Sequence, residues 1–245
     1  MRLKNVPLLC FFFCISAELL SAQNLVFNPG FETHQPIDCV GCGAGLSDLT
    51  LMKGWKNSGG YVQLHSTDYK YNGSETDHGY SAEKFAPFKG KAVVCLPFHC
   101  GRSSRKPEGE AGYLYSTLNA PLEKDSIYAV SFWVHIRNNF KQKDHARFPF
   151  LKNFAISFSD KDFQLAGIYQ PLLINDSPFK MKELAIGEWM EVKHYIRPTR
   201  RLDRLIIGWM QDPYHLENLS EKKFNFRFEY LLDDISVIKV PKPDE

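Results

Sequence analysis

The sequence lacks a strong charge of either sign. It has 30 Lys and Arg residues against 28 Asp and Glu residues, which gives a formal net charge of +2. Proteins that bind nucleic acids or anionic membranes usually carry a marked basic excess. The densest basic groups, at 102–106 and 197–204, are interpreted as solvated loops and strand edges. We therefore expect no nucleic-acid partner.

Long apolar runs are also missing, except at the very start. Arg2 and Lys4 precede an apolar stretch from Val6 to Ala17, and the small pair Ser21 and Ala22 follows. This order predicts a secretory signal peptide over 1–22, with the cleavage position left open because Leu20 is bulky. No later run approaches the roughly 20 apolar residues of a membrane helix. We expect an exported protein without a transmembrane segment, in the periplasm, on the outer-membrane surface or outside the cell.

No compact catalytic motif is present: Gly-x-Ser-x-Gly, His-Glu-x-x-His and phosphate-binding glycine loops are all missing. Polysaccharide lyases, however, can use scattered side chains, and His135, Arg137 and Tyr115 are candidates for such a set. The acidic pair Glu108 and Glu110 lies in a Gly/Pro-rich stretch and is interpreted as solvated charge. Whether the chain is an enzyme stays open, and a non-catalytic protein is favoured.

Six cysteines are present, and the four beyond the predicted signal peptide are Cys39, Cys42, Cys95 and Cys100. An even number in an exported chain predicts two disulfides, with three possible connectivities. A zinc site is the alternative, because Cys39 and Cys42 have the spacing of a metal knuckle. The oxidising destination favours disulfides.

Strand patterns dominate the rest of the chain, whereas no segment has three turns of helical periodicity. The clearest strand runs from Tyr128 to Ile136, with apolar residues at alternate positions. We predict one all-β domain over 23–240, an antiparallel β-sandwich, followed by a tail over 241–245. Further strands are predicted at 61–64, 91–96, 111–118, 153–159, 189–196, 205–210 and 224–240, with turns at 56–60, 72–79 and 101–112.

The last strand changes its apolar phase. From Phe224 to Tyr230 the even positions are apolar, whereas Leu231, Ile235 and Val237 are odd. A bulge near Leu231 would produce this change and would leave Asp233 in phase with the inward residues. A buried carboxylate needs hydrogen bonds or a cation. Backbone amides and a calcium ion are both consistent with this position.

Two segments together resemble a known family: 24–32, with the sequence NLVFNPGFE, and 230–237, with the sequence YLLDDISV. They are similar to the first and last strands of the galactose-binding-like jelly roll of carbohydrate-binding modules. The order of Lys53-Gly54-Trp55, 90–94 and 128–134 also resembles exported N-terminal jelly-roll domains of Gram-negative, OmpA-associated envelope proteins. No OmpA-like segment is recognised after Val240, so that mode of cell-wall attachment is not expected.

The resemblance implies a structural calcium ion. In the carbohydrate-binding relatives, a glutamate of the opening motif and an aspartate of the closing motif hold this ion. The matching residues here are Glu32 and Asp233, and the carbonyl of Gly30 is a further candidate ligand.

The resemblance also implies a non-catalytic module that binds a carbohydrate or cell-envelope glycan. Sugar binding calls for exposed aromatic rings beside polar groups. Trp133 lies opposite Phe132 on its strand, and we expect Tyr113 and Tyr115 to share its face; Trp209 and Tyr214 form a second candidate. Trp55 and Trp189 are interpreted as packing residues. The alternatives are an envelope protein that binds another protein and a jelly-roll polysaccharide-degrading enzyme.

Overall fold

A computed structural model describes residues 23–34, 52–59, 62–67, 86–103, 106–111, 113–138, 154–161, 179–180, 186–209 and 226–241. These residues form strands, turns and bends, and none of them is helical. No helix among them is thus available to cross a membrane. The strands are β1 (Trp55–Gly59), β2 (Gln63–Ser66), β3 (Ala92–Ser103), β4 (Lys106–Ala111), β5 (Tyr113–Leu122), β6 (Ile127–Asn138), β7 (Phe154–Ser159), β8 (Phe179–Lys180), β9 (Trp189–Ile196), β10 (Leu202–Trp209) and β11 (Phe226–Val240).

The strands form two antiparallel sheets. The first sheet has the order β1-β5-β10-β7-β8, and the second has the order β2-β3-β11-β6-β9, with β4 paired to β3. Neighbours within a sheet are mostly far apart in the sequence, which is the pattern of a sandwich rather than of a meander. The predicted all-β antiparallel sandwich is confirmed.

The core lies between the sheets and follows from strand alternation. On β6, Phe132, Val134 and Ile136 are fully buried, whereas the residues between them are only half-buried. Across the sandwich, the rings of Phe154 and Tyr230 stack with their centroids 4.4 Å apart. Such pairs contribute about 0.5–1.5 kcal/mol beyond the burial of their surface. The period-2 pattern of the sequence thus becomes one continuous apolar layer.

Two stretches predicted as turns are strands instead. Residues 56–60 overlap β1, and residues 101–112 contain the end of β3 and all of β4. Glycine and proline made both stretches look irregular. Among the strands that the structure describes, β1 pairs only with β5 and β4 only with β3, and strands paired on one side tolerate such residues.

The phase change in β11 is real, but it lies later than predicted. Asp233 pairs with Trp133 and Ser236 pairs with Ser131, so β11 contains one extra residue at this point. Asp234 has a left-handed backbone with φ of 47°, as expected in a bulge. Leu232 and Ile235 both join the core, whereas Leu231 packs on the opposite side of the sheet. The prediction of a switch at Leu231 was wrong because Leu231, an apolar residue on the outward side, was interpreted as a core residue. Asp233 precedes the bulge and pairs with Trp133, so it is fully buried but lies on the side away from the core, not in phase with the inward residues as predicted.

The segment after the predicted signal peptide runs along the end of β11. The Leu25 amide donates to the Val237 carbonyl at 2.8 Å, and the Ile235 amide donates to the Pro29 carbonyl at 3.0 Å. The Asn24 amide group donates to the Ile235 carbonyl, and its Oδ1 accepts from the Val237 amide. The two motifs of the family resemblance are therefore in direct contact, which brings Glu32 close to the bulge.

Candidate functional site: the outer face of the second sheet

The second sheet has a side that faces away from the core, which we call the outer face. Residues paired directly across neighbouring strands lie on the same side of a sheet. One row of paired residues on the outer face crosses five strands, and a second row lies two residues further along each strand. The first row contains Gln63, Cys95, Leu231, His135 and Trp189, each paired with the next. The second row contains the pair His65–Val93 on β2 and β3 and the paired residues Asp233, Trp133 and Glu191 on β11, β6 and β9.

Aromatic side chains cover the middle of the outer face. Phe88, from the loop before β3, stacks on Trp133 with ring centroids 3.7 Å apart and an interplanar angle of 11°. Trp189 lies tilted against Phe88 at 5.9 Å and against His135 at 5.6 Å. Trp133 and Trp189 are half-buried, and Phe88 is 38% exposed. The cluster therefore presents aromatic surface to solvent.

Polar groups lie beside the rings. Arg137 and Glu229 are paired across β6 and β11 with an N to O distance of 3.4 Å, and both side chains are largely covered. Burial lowers the pKa of His135, a backbone hydrogen bond involving Gly187 opposes this shift, and the nearby Arg137 charge adds to it. His135 is thus a neutral ring at neutral pH. Donors and acceptors flank the aromatic surface, as a polyol ligand requires.

The two candidate tyrosines lie elsewhere. Tyr113 and Tyr115 are on β5 in the first sheet, 4% and 5% exposed respectively. Burial raises the pKa of Tyr113 to about 12. The prediction that they share a face with Trp133 was wrong because β5 pairs with β1 and β10, which alternation within a strand does not reveal. The lyase set is also divided, since Tyr115 is in the other sheet from His135 and Arg137.

The remaining aromatic candidates have less to support them. The backbone of Trp209 ends β10 in the first sheet, so it is not part of the outer face. Tyr214 lies outside the described residues. Trp55, interpreted as a packing residue, is 2% exposed and donates from Nε1 to the Asn28 carbonyl at 2.9 Å. Trp133 is thus the one aromatic candidate that the described residues place on the outer face. Trp189 was interpreted as a packing residue but is half-buried beside Phe88 and His135 on this face, and sequence reasoning missed Phe88.

The predicted metal ligands meet at Asp233 in the second row of this face, at a site that we call the carboxylate corner. Asp233 is fully buried, and its carboxylate accepts hydrogen bonds from the amides of Lys89 at 2.9 Å and Asp234 at 2.7 Å. Glu32 Oε1 accepts from the amides of Lys91 at 2.8 Å and Ala92 at 3.1 Å. The backbone of Gly30 approaches Asp233 so closely that an added Cβ would lie 3.5 Å from Oδ1. Four amides therefore satisfy the two carboxylates.

Burial dominates the electrostatics of this corner. It raises the pKa of Asp233 to about 6; the amides of Lys89 and Asp234 oppose the shift, and the charges of Asp234 and Glu32 add to it. Calcium takes six to eight oxygen ligands, so loop carbonyls and water would have to join the two carboxylates. Among the residues that the structure describes, no group of three or more His, Cys, Asp or Glu side chains is arranged to hold a metal. Carboxylate oxygens are ligands that calcium accepts, and backbone amides occupy some of their lone pairs here.

The cysteines are only partly described. Cys39 and Cys42 lie outside the described residues, and Cys95 is buried in the first row of the outer face. Cys95 and Cys100 belong to one continuous strand, so their Cα atoms are about 16 Å apart at about 3.3 Å per residue. A disulfide requires about 4.4–6.8 Å. Of the three connectivities, the one that joins Cys95 to Cys100 is therefore excluded, while the disulfides themselves stay a prediction.

Comparisons with known proteins add the following. No protein-family model matches the sequence, and no curated protein matches it. Among solved structures, the carbohydrate-binding module TmCBM61 in complex with β-1,4-galactotriose is 14% identical with a TM-score of 0.38, over 89% of this chain and 100% of that one. A cleaved adhesin domain of Lys-gingipain from Porphyromonas gingivalis is 12% identical with a TM-score of 0.41, over 86% and 96%.

A third structure, the CBM22-1 xylan-binding domain from Paenibacillus barcinonensis Xyn10C, is 10% identical with a TM-score of 0.36, over 78% of this chain and 88% of that one. Carbohydrate-binding modules are also the class that the sequence motifs resemble. At these identities and TM-scores, however, the similarity assigns no ligand to this chain. The ligand class has to be argued from the side chains of the outer face.

Proposed function

We propose that the chain is an exported, non-catalytic module that binds a carbohydrate through the outer face of the second sheet. One observation carries this proposal: the half-buried tryptophans Trp133 and Trp189 lie on a sheet face that also holds His135 and the Arg137–Glu229 pair. Aromatic rings stack on the apolar faces of sugars, and the polar groups beside them serve the hydroxyls. A cell-envelope glycan is the ligand that suits an exported chain.

Charge at this site favours a neutral or weakly charged ligand. Arg137 is already matched by Glu229, and His135 is neutral because burial lowers its pKa. A strongly anionic ligand would find no surplus of positive charge in this part of the outer face. Neutral polysaccharides are therefore the first ligands to test.

Binding to another envelope protein is the competing function. It would use the same aromatic surface but would not need polar groups spaced for hydroxyls. A glycan array with the mature protein separates the two functions. Binding to at least one polysaccharide is expected, whereas binding to none, together with a co-purifying envelope protein, would refute the carbohydrate proposal.

Paired variants locate the site. Trp189→Ala should weaken glycan binding about tenfold or more, roughly 1.4 kcal/mol, because a stacking ring is lost. Phe27→Ala is the matched control: Phe27 is also an exposed aromatic residue, 42% exposed, and its ring lies against Gly54, which precedes β1 of the first sheet. Equal losses in both variants, measured by calorimetry, would place the ligand elsewhere.

We also propose a structural calcium ion at Glu32 and Asp233, with the Gly30 carbonyl as a further ligand. The supporting observation is that Asp233 and Glu32, from opposite ends of the domain, accept hydrogen bonds from the amides of Lys89 and Lys91, so two negative charges meet at one turn and repel each other. A divalent cation would relieve that repulsion. The ion would hold the two ends of the domain together and would take no part in choosing the ligand.

A further inference from the structure

The ring of Phe88 occupies the position on Trp133 where a sugar ring would stack. Its centroid is 3.7 Å from that of the indole, and the two planes are nearly parallel. That separation is van der Waals contact, so no second ring fits between them. We propose that Phe88 is an internal cap, and that a ligand reaches this face of Trp133 only after Phe88 has moved aside. This inference rests on the proposed function, because it names the residue that controls access to the same site.

The backbone that carries Phe88 is held in place. On its C-terminal side, the Lys89 amide is bound by Asp233 and the Lys91 amide by Glu32. Gly90 has φ of +71°, and a Cβ there would lie 2.2 Å from Glu32 Oε1, so a side chain at this position would strain the turn and displace the Glu32 carboxylate. On the N-terminal side, Pro87 fixes its own φ.

Because the backbone is held in place, we expect the cap to open by rotation of the Phe88 side chain. The loop does not have to swing, because Phe88 is 38% exposed and its side chain can rotate into solvent. Rotations of exposed side chains take picoseconds to nanoseconds. The carboxylates Glu32 and Asp233 then act as positioning residues that aim Phe88 at Trp133.

The cap has a measurable effect on affinity. A ligand has to replace an aromatic contact that the protein already makes, so the apparent affinity of the capped form is reduced. From the usual strength of an aromatic pair, removal of the cap should raise affinity about two- to tenfold. If Phe88 were part of the binding platform instead, its removal would lower affinity.

The first test needs no ligand. Acrylamide quenching of tryptophan emission should increase in Phe88→Ala relative to the wild type, because one face of Trp133 becomes exposed. Phe27→Ala is the control, since Phe27 is also an exposed phenylalanine, 42% exposed, and lies beside Gly54. In a Trp133→Phe background the Phe88 effect should vanish. Unchanged quenching in a Phe88→Ala protein that melts like the wild type would overturn the cap.

The second test measures binding to a neutral polysaccharide that the array identifies, with the same three proteins. Phe88→Ala should bind about two- to tenfold more tightly, and Phe27→Ala should bind like the wild type. Weaker or equal binding by Phe88→Ala overturns the cap while wild-type binding upholds the proposed function. If neither the wild type nor Phe88→Ala binds any glycan, the proposed function fails, whatever the quenching shows.

Discussion

The outer faces of the two sheets differ in how far they are covered. In the first sheet, Ile206 and its cross-strand partners Tyr115 and Ser157 face away from the core, and all three are at most 5% exposed. In the second sheet, Trp133, His135 and Trp189 hold the equivalent positions on β6 and β9 and are half-buried, whereas Val93, Cys95 and Leu231 on β3 and β11 are buried. The difference is therefore confined to the β6 and β9 part of the second sheet. Both faces carry large side chains, so composition does not distinguish a packing face from a binding face. Exposure does.

The largest expected effect tests this difference directly. Ile206→Ala should lower the free energy of unfolding by about 2–5 kcal/mol, because it leaves a cavity in a covered face. The matched change Ile238→Ala, at a half-buried position on the second sheet beyond the bulge, should cost less than about 2 kcal/mol. Urea unfolding measures both losses. Equal losses would mean that the two outer faces are equally buried.

The sequence could predict which residues of a strand face the core, but not which sheet the strand joins. Alternation identified β6 and its core residues, and β9 was predicted with its observed bounds. Alternation gives two faces for each strand but does not tell which sheet the strand joins, so Tyr115 was grouped with Trp133. Partner choice depends on contacts between residues far apart in the chain, which a local pattern does not contain.

Phe88 was missed for another physical reason. It lies in a bend between a proline and a glycine, where no period exists to mark a functional side chain. Glu32 and Asp233, in contrast, were identified from two motifs at the ends of the domain, and the carboxylates do lie at one corner. The available signal for the loop was its fixed turn, since Pro87 and Gly90 bracket Phe88.

A second prediction concerns the carboxylate corner formed by Glu32 and Asp233. If calcium binds there, adding it to the EDTA-treated wild type at pH 7.5 should stabilise the fold by about 2.7 kcal/mol at a hundredfold excess over Kd. Glu32→Gln and Asp233→Asn should abolish this response. Asp160→Asn, which changes a carboxylate near Arg200, should retain it. Identical melting curves with EDTA and with calcium in the wild type would refute the calcium proposal.

The smallest expected effect concerns the pH dependence of the outer face. Burial lowers the pKa of His135 in the folded protein, with Arg137 contributing and a backbone hydrogen bond involving Gly187 opposing. The unfolded chain therefore takes up the proton first as the pH falls below about 6.5. The stabilising contribution of the neutral ring is complete above that pH and is lost as the pH falls through the lower folded pKa.

His135→Gln should accordingly flatten the pH dependence of the free energy of unfolding between pH 7.5 and pH 5, measured by urea unfolding. The nearby charges of Arg137, Glu229 and Glu191 remain in this variant, so the difference in slope belongs to the imidazole. Equal slopes in the two proteins would mean that His135 is as well hydrated in the folded state as in the unfolded state. That result would mean that water reaches His135 more freely than its ring contact with Trp189 indicates. The outer face of the second sheet would then be even more exposed than that of the first sheet.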